Sequence, residues 1–272
     1  MSKIIKIYCE GKQGSHDYDI LQKVIGDLSV FIEPIGSIRG AGAIIQYKEK
    51  EVVKSDFFIL FRDRDFDKPI PQMPILEQDN ERKYCYWAYR NTIENYLFNP
   101  TDLYRFLVEQ NKTDIYQINN ENEAKQKLIE VAEKIKDYQA VRHAMGSMRT
   151  GESNFGTKWT EKSGILPESL EKEHCRIKAL ERINQAKQLT ENWNEEGLNE
   201  KANEFLEQFN IDFMNRLDFL IWFQGKDFEA ALQILLPSFP TKSYYKFAKN
   251  NFNYELFPDL VELRTLLQNK LK

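Results

Sequence analysis

Three carboxylates stand where this sequence could do chemistry. Glu10 ends the apolar run Ile4-Ile5-Lys6-Ile7-Tyr8-Cys9 and is followed by Gly11. Asp63 and Asp65 follow a second run, Phe57-Phe58-Ile59-Leu60-Phe61, and Asp67 comes two residues later. If the two runs are adjacent parallel strands, their carboxyl ends meet at one sheet edge and the carboxylates converge. Like charges a few ångströms apart repel and raise each other's pKa. A divalent cation removes that conflict. Hard oxygen ligands suit Mg²⁺ or Mn²⁺, and Mg²⁺ needs only one or two protein carboxylates beside water and substrate phosphate. Such an ion activates water and clamps phosphoryl oxygens, which is phosphodiester chemistry. The competing reading of Asp63, Asp65 and Asp67 is a solvated turn, because aspartate caps turns readily.

The elements that must position these residues read as α/β over the first hundred residues. Short β-rich runs at Ile4–Cys9, Val30–Ile32, Phe57–Phe61 and Tyr84–Ala88 alternate with helical spacing. Ser15 is placed to cap a helix with Ile20, Leu21, Val24 and Ile25 on one face. The alternation implies right-handed crossovers and a parallel sheet flanked by helices, with ligands beyond the carboxyl ends of its strands. Residues 101–272 read as mainly helical. The stretch Arg142–Leu166, rich in glycine, serine and threonine, reads as a long loop, a kind of segment that often carries function.

The order strand-Glu10-Gly11, helix, strand, helix, strand-Asp63-Arg64-Asp65 resembles the TOPRIM domain of topoisomerases, primases and OLD-family nucleases. The run Thr92-Ile93-Glu94-Asn95-Tyr96-Leu97 resembles a subgroup that acts beside ABC-type ATPases in anti-phage defence, the nuclease subunits of PARIS systems being similar. The resemblance covers about residues 1–100. It implies a TOPRIM-type sheet and a metal held by Glu10, Asp63, Asp65 and Glu94. It implies a toxic endonuclease effector restrained by a partner ABC-type ATPase, with structured RNA such as tRNA favoured over DNA, and suggests a dimer. OLD-like members carry a late lysine, and Lys226 in Gly225-Lys226-Asp227 is similar. Taken without the family, Glu94 reads as a helix-start carboxylate favoured by the macrodipole, and Lys226 as a solvated lysine. The alternatives in function are a DNA endonuclease of OLD type and a non-catalytic module that docks on an ATPase.

The charge balance narrows the nucleic-acid surface. Net charge is −4, so a basic footprint must be local. Lys242, Lys246 and Lys249 share one helix face at i, i+4 and i+7. Arg142, Arg149, Lys158 and Trp159 in the expected loop could add phosphate contacts and a stacking ring. His143 reads as a structural histidine. Cys9, Cys85 and Cys175 are far apart with no CxxC pair, so neither disulfides nor a structural zinc are expected. No apolar run reaches membrane-span length and no leader is evident, so the expected location is cytoplasmic, without a membrane. No Walker A motif is present, so any ATP hydrolysis belongs to a partner.

Overall fold

A computed structural model describes residues 3–37, 40–51, 54–148, 159, 164–186 and 194–272. The chain forms two compact units. The first holds Met1–Arg64, Ile70–Ile93 and Lys246–Lys272; the second holds Asp65–Pro69 and Glu94–Tyr245. The single cut expected near residue 100 is thus replaced by a division in which the C-terminal segment returns to the first unit.

The first unit is α/β. Its strands are β1 (Ile5–Cys9), β2 (Val30–Pro34), β3 (Phe57–Arg62), β4 (Glu77–Gln78) and β5 (Cys85–Trp87), in spatial order β2-β1-β3-β5-β4. All neighbours are parallel except the short β4, which runs against β5 and which the sequence did not announce. Between the strands lie α1 (His16–Ile25) and α2 (Ala41–Glu51). Every residue of β1 is buried, as befits a central parallel strand covered on both faces. On one face Tyr8, Leu60 and Trp87 pack with Ala41 and Ile45 of α2. Lys6 shares that face and is buried too, held 3.2 Å from Glu49, which also accepts from Tyr8 Oη and Ser55.

Ser15 caps α1 as its sequence position suggests, accepting from the Tyr18 N–H. The other end of α1 explains the returning C-terminus. The last helix of the chain, Pro258–Leu271, buries Leu260, Leu263 and Leu267 and packs on α1 and β1. Its Arg264 donates to the Val24 and Ile25 carbonyls at 2.7 Å each. Those are orphan acceptors of the last turn of α1.

The second unit is helical: α3 (Pro100–Glu109), α4 (Thr113–Tyr116), α5 (Glu121–Ser147), α6 (Lys172–Ala186), α7 (Glu195–Gln208), α8 (Ile211–Asn215), α9 (Phe219–Trp222) and α10 (Gly225–Leu235). Helix α5 is its axis and packs against α3, α6, α7 and α10. Its length corrects the sequence reading. The helix does not stop at Arg142 but runs to Ser147, because Val141, Ala144 and Met145 join a core with Cys175, Ala179, Ile183 and Leu198. Tertiary burial outweighs the glycine at 146, whose helix cost is only about 1 kcal/mol. Helix α11 (Thr241–Asn250) crosses the boundary between the units, and the terminal helix is α12. Among the described residues no helix is long and apolar enough to cross a membrane.

Candidate active site

In the first unit the sheet order reverses between β1 and β3. The chain leaves β1 for β2 on one side and returns to β3 on the other. Such a switch point opens a crevice beyond the strand ends. Glu10 and Asp63 are the residues immediately past those two ends. The register pairs Tyr8 with Leu60, so its extension sets Glu10 level with Arg62, one residue before Asp63. Neighbouring strands lie about 4.8 Å apart. Both residues are half-buried. The buried thiol of Cys9 reports the local field: it is pushed up to about 12, first by burial and then by the carboxylates of Asp17 and Glu10.

Gly11 has a specific task here. Its φ is +83°, and a Cβ would stand 2.7 Å from Ser15 Oγ. It exchanges two 2.9 Å backbone hydrogen bonds with Gly36. The turn that follows Glu10 therefore excludes a side chain.

The residue between the two aspartates is not a spacer. Arg64 is fully buried, donates from Nε to the Ala88 carbonyl at 2.7 Å and pairs with Glu77 at 2.8 Å. It pins the end of β3 to the segment after β5. Past it, Asp65 and Phe66 take φ of +36° and +64°, a conformation costly for side-chain-bearing residues. The surroundings hold it in place: the Arg142 guanidinium lies 4.3 Å from the Phe66 ring centre, and the His143 ring meets Phe66 edge-on at 4.8 Å.

Asp65 belongs with these residues in the second unit. Its carboxyl is pushed above the usual aspartate range, first by desolvation; Arg142 opposes the shift, Asp67 adds to it, Lys226 opposes it and Asp227 adds to it. The residue remains exposed, so this is the desolvation of a crowded rim rather than a sealed interior.

Arg142 departs most from its expected role. It was read as a loop cation for nucleic acid; it is instead 2% exposed on α5 and ion-paired with the fully buried Asp227. Asp227 also accepts from Gln139 Nε2 at 2.9 Å and from the Gly164 N–H at 3.2 Å. The sequence offered no sign of Asp227 beyond its place beside Lys226. His143 fits its structural reading: its Nε2 lies 2.9 Å from the Trp222 carbonyl oxygen, and burial pushes its pKa down to about 3.

Glu94 and Lys226 do meet. The ammonium stands 3.7 Å from Glu94 Oε1, with the lysine exposed and the glutamate side chain 6% exposed. Among the described residues, Glu94 Oε2 is buried without a hydrogen-bond partner. Glu229, one turn beyond Lys226, accepts from Tyr245 Oη at 3.0 Å. Its carboxyl is pushed up by desolvation, pulled down by Tyr245, and pushed up again by Glu94. Neither Glu229 nor Tyr245 stood out in the sequence, although Glu229 sits at i+3 from Lys226. The neighbouring residues of the Ile-Glu-Asn-Tyr-Leu run are structural: Asn95 donates to the Leu220 and Phe223 carbonyls, and Tyr96 and Leu97 are buried.

The expected basic face is partly consumed. Lys242 and Lys246 are exposed on α11, but Lys249 is paired with Asp19 at 2.5 Å. Trp159 packs edge-on against Tyr138, with ring centres 5.0 Å apart, so that ring is partly occupied. Arg149 and Lys158 lie outside the described residues. A cavity of about 630 Å³ runs along α6 beside Trp159 and contains none of the expected catalytic residues.

Among the described residues, no three Asp, Glu, His or Cys side chains stand close enough to hold a metal ion. The five expected catalytic residues divide between the units, with Glu10 and Asp63 in the first and Asp65, Glu94 and Lys226 in the second. Two hard-oxygen donors at one sheet edge, Glu10 and Asp63, suit a Mg²⁺ that keeps most of its water and takes substrate phosphate. They do not make a protein cage. The chain matches no family model and no curated protein.

Proposed function

We propose that this chain is a metal-dependent phosphodiesterase of TOPRIM type, an endonuclease that cuts structured RNA such as tRNA. In this reading it is a toxic effector held inactive by a partner ABC-type ATPase. One observation carries the catalytic part: Glu10 and Asp63 follow adjacent parallel strands at the point where the strand order reverses. Glu10 and Asp63 would hold the ion; Asp65 and Glu94 enter the ligand set through the resemblance alone. When bound, the ion supplies a Lewis acid and water activated near neutral pH. The exposed Lys226 ammonium can balance charge developing on a phosphoryl group, with Glu94 orienting it. Structured RNA is preferred because a net-acidic chain with local basic patches is ill suited to tracking long duplex DNA. The partner and the defence role rest on the resemblance alone.

Purified wild type and Glu10→Gln, incubated with tRNA, single-stranded DNA and supercoiled plasmid with and without Mg²⁺, test the reading. Mg²⁺-dependent tRNA cleavage that Glu10→Gln loses is expected. Plasmid cutting with intact tRNA would transfer the activity to DNA. The alternative reading is a non-catalytic module that docks on an ATPase. Calorimetry with Mn²⁺ separates the two: uptake that disappears in Glu10→Gln supports the enzyme, and no uptake supports the module.

A further inference from the structure

Helix α6 carries two parallel rows of side chains. Cys175, Ala179 and Ile183 recur every four residues and are buried in the core of the helical unit. His174, Lys178 and Arg182 each precede one of them, so they form a second row about 100° around the helix. At about 1.5 Å per residue this row is about 12 Å long. It lines the cavity of about 630 Å³ beside Trp159. That volume falls within the range of small-molecule sites, about 300–1,000 Å³.

The rest of the lining is of two kinds. Trp159, Leu166 and Pro167 supply apolar surface. Trp159 and Leu166 are anchored from behind, because both pack on the core that buries Cys175 and Ala179. The Trp159 ring stands at 88° to that of Tyr138 and remains half-exposed. Glu168, Glu181 and Gln185 complete the polar part and offer acceptors. Lys178 is paired with Glu181 at 3.0 Å, and Arg182 donates to Gln185 at 3.2 Å. Both are i,i+3 contacts along one helix surface, with the Lys178 and Glu181 side chains 39% and 52% exposed. Such pairs are weak. A phosphate, which presents several charged acceptors to both cations at once, replaces them. The cavity thus combines a flat aromatic wall, a row of cations and carboxylate acceptors. A ligand that answers all three has a flat ring, an anionic group, and hydroxyl or amino donors.

We propose that this cavity binds a nucleoside phosphate, with the base against Trp159 and the phosphate on Lys178 and Arg182. His174 adds a donor to the phosphate, and Glu168 and Glu181 accept from the sugar hydroxyls or the base amino group. The site holds none of the expected catalytic residues and does not depend on the phosphodiesterase reading. A free nucleotide and one unit of an RNA strand present the same chemistry to it.

Calorimetry in EDTA with AMP, GMP, CMP and UMP, their nucleosides, inorganic phosphate and a short oligoribonucleotide tests this without any catalysis. At least one mononucleotide should bind with Kd below about 1 mM, and its nucleoside and phosphate alone about tenfold more weakly. Lys178→Ala combined with Arg182→Ala should lower nucleotide affinity to that of the nucleoside while leaving the urea midpoint unchanged. Trp159→Ala should weaken nucleotide and nucleoside alike. Trp159→Phe, which keeps a flat ring on the core, should retain most of the affinity. An oligoribonucleotide that binds about tenfold tighter than the best mononucleotide, and loses this in the double variant, identifies a strand as the source. Equal or weaker binding of the oligoribonucleotide identifies a free nucleotide. Three results overturn the proposal: no binding of any nucleotide or oligoribonucleotide, a nucleoside that binds as tightly as its nucleotide, or full affinity in the folded double variant. The two readings fail separately. Nucleotide binding should persist in Glu10→Gln whether or not the wild type cleaves RNA, and its absence leaves the cleavage test untouched.

Discussion

Replacing Arg142 with methionine tests the largest difference between the sequence reading and the structure. Arg142 and Asp227 are 2% and 0% exposed and form an ion pair. Methionine preserves the length of the stem but leaves the Asp227 carboxylate buried, with the amide of Gln139 and the N–H of Gly164 as remaining donors. Stranding a buried charge in this way costs about 3–5 kcal/mol. Two neutral hydrogen bonds, worth about 1 kcal/mol each, are already present in the intact protein and do not replace the lost cation. The contact with Phe66 goes too, which releases the left-handed turn at Asp65 and Phe66. Urea unfolding followed by far-UV circular dichroism should show a lower midpoint with an unchanged slope. Adding Asp227→Asn to Arg142→Met should recover part of the loss, giving a coupling of about 1 kcal/mol or more in a double-mutant cycle. A loss below about 1 kcal/mol, accompanied by weaker RNA binding, would refute the argument and return Arg142 to a solvent-facing role.

Four further outcomes are expected. Asp63→Asn should abolish Mg²⁺-dependent cleavage while leaving metal-free stability equal or higher, since removing a charge relieves repulsion; a loss of several kcal/mol in EDTA would mark Asp63 as a structural cap. His143 should make the fold acid-sensitive: its folded pKa of about 3 lies below the ordinary value of about 6.5, so its contribution is complete above that value and is lost as pH falls towards 3. The slope is about 1.4 kcal/mol per pH unit, and an identical urea-midpoint profile from pH 7 to 5 in His143→Gln would count against it. Lys242→Ala with Lys246→Ala should flatten the salt dependence of RNA binding by up to about two units, whereas Lys249→Ala, whose ammonium is engaged by Asp19, should change it less; equal effects at all three would mean the ion pair opens for substrate. Expression of the free chain should slow host growth, and Glu10→Gln should relieve it; harmless expression of folded wild type would contradict the effector reading.

The sequence by itself determined four of the five strands, the acids that follow two of them and the start of α1. These depend on local signals: the buried runs at Ile5–Cys9 and Phe57–Phe61, the cap at Ser15, and the glycine that alone fits after Glu10. The pattern of alternation also implied a parallel sheet, and hence that Glu10 and Asp63 end up at one edge. Tertiary structure alone decided which charges are spent inside the protein. Arg64, Arg142 and Asp227 look like ordinary surface charges in one dimension, and so does Lys249. Their partners Glu77, Asp227 and Asp19 are between 13 and 230 residues away. Local periodicity carries no record of such pairings, because an ion pair depends on which helix faces which and not on spacing along the chain. The same holds for the last helix, which no pattern in its own sequence assigns to the first unit. Only the fit of Leu260, Leu263 and Leu267 against α1 and β1, with Arg264 on the last carbonyls of α1, brings it back there.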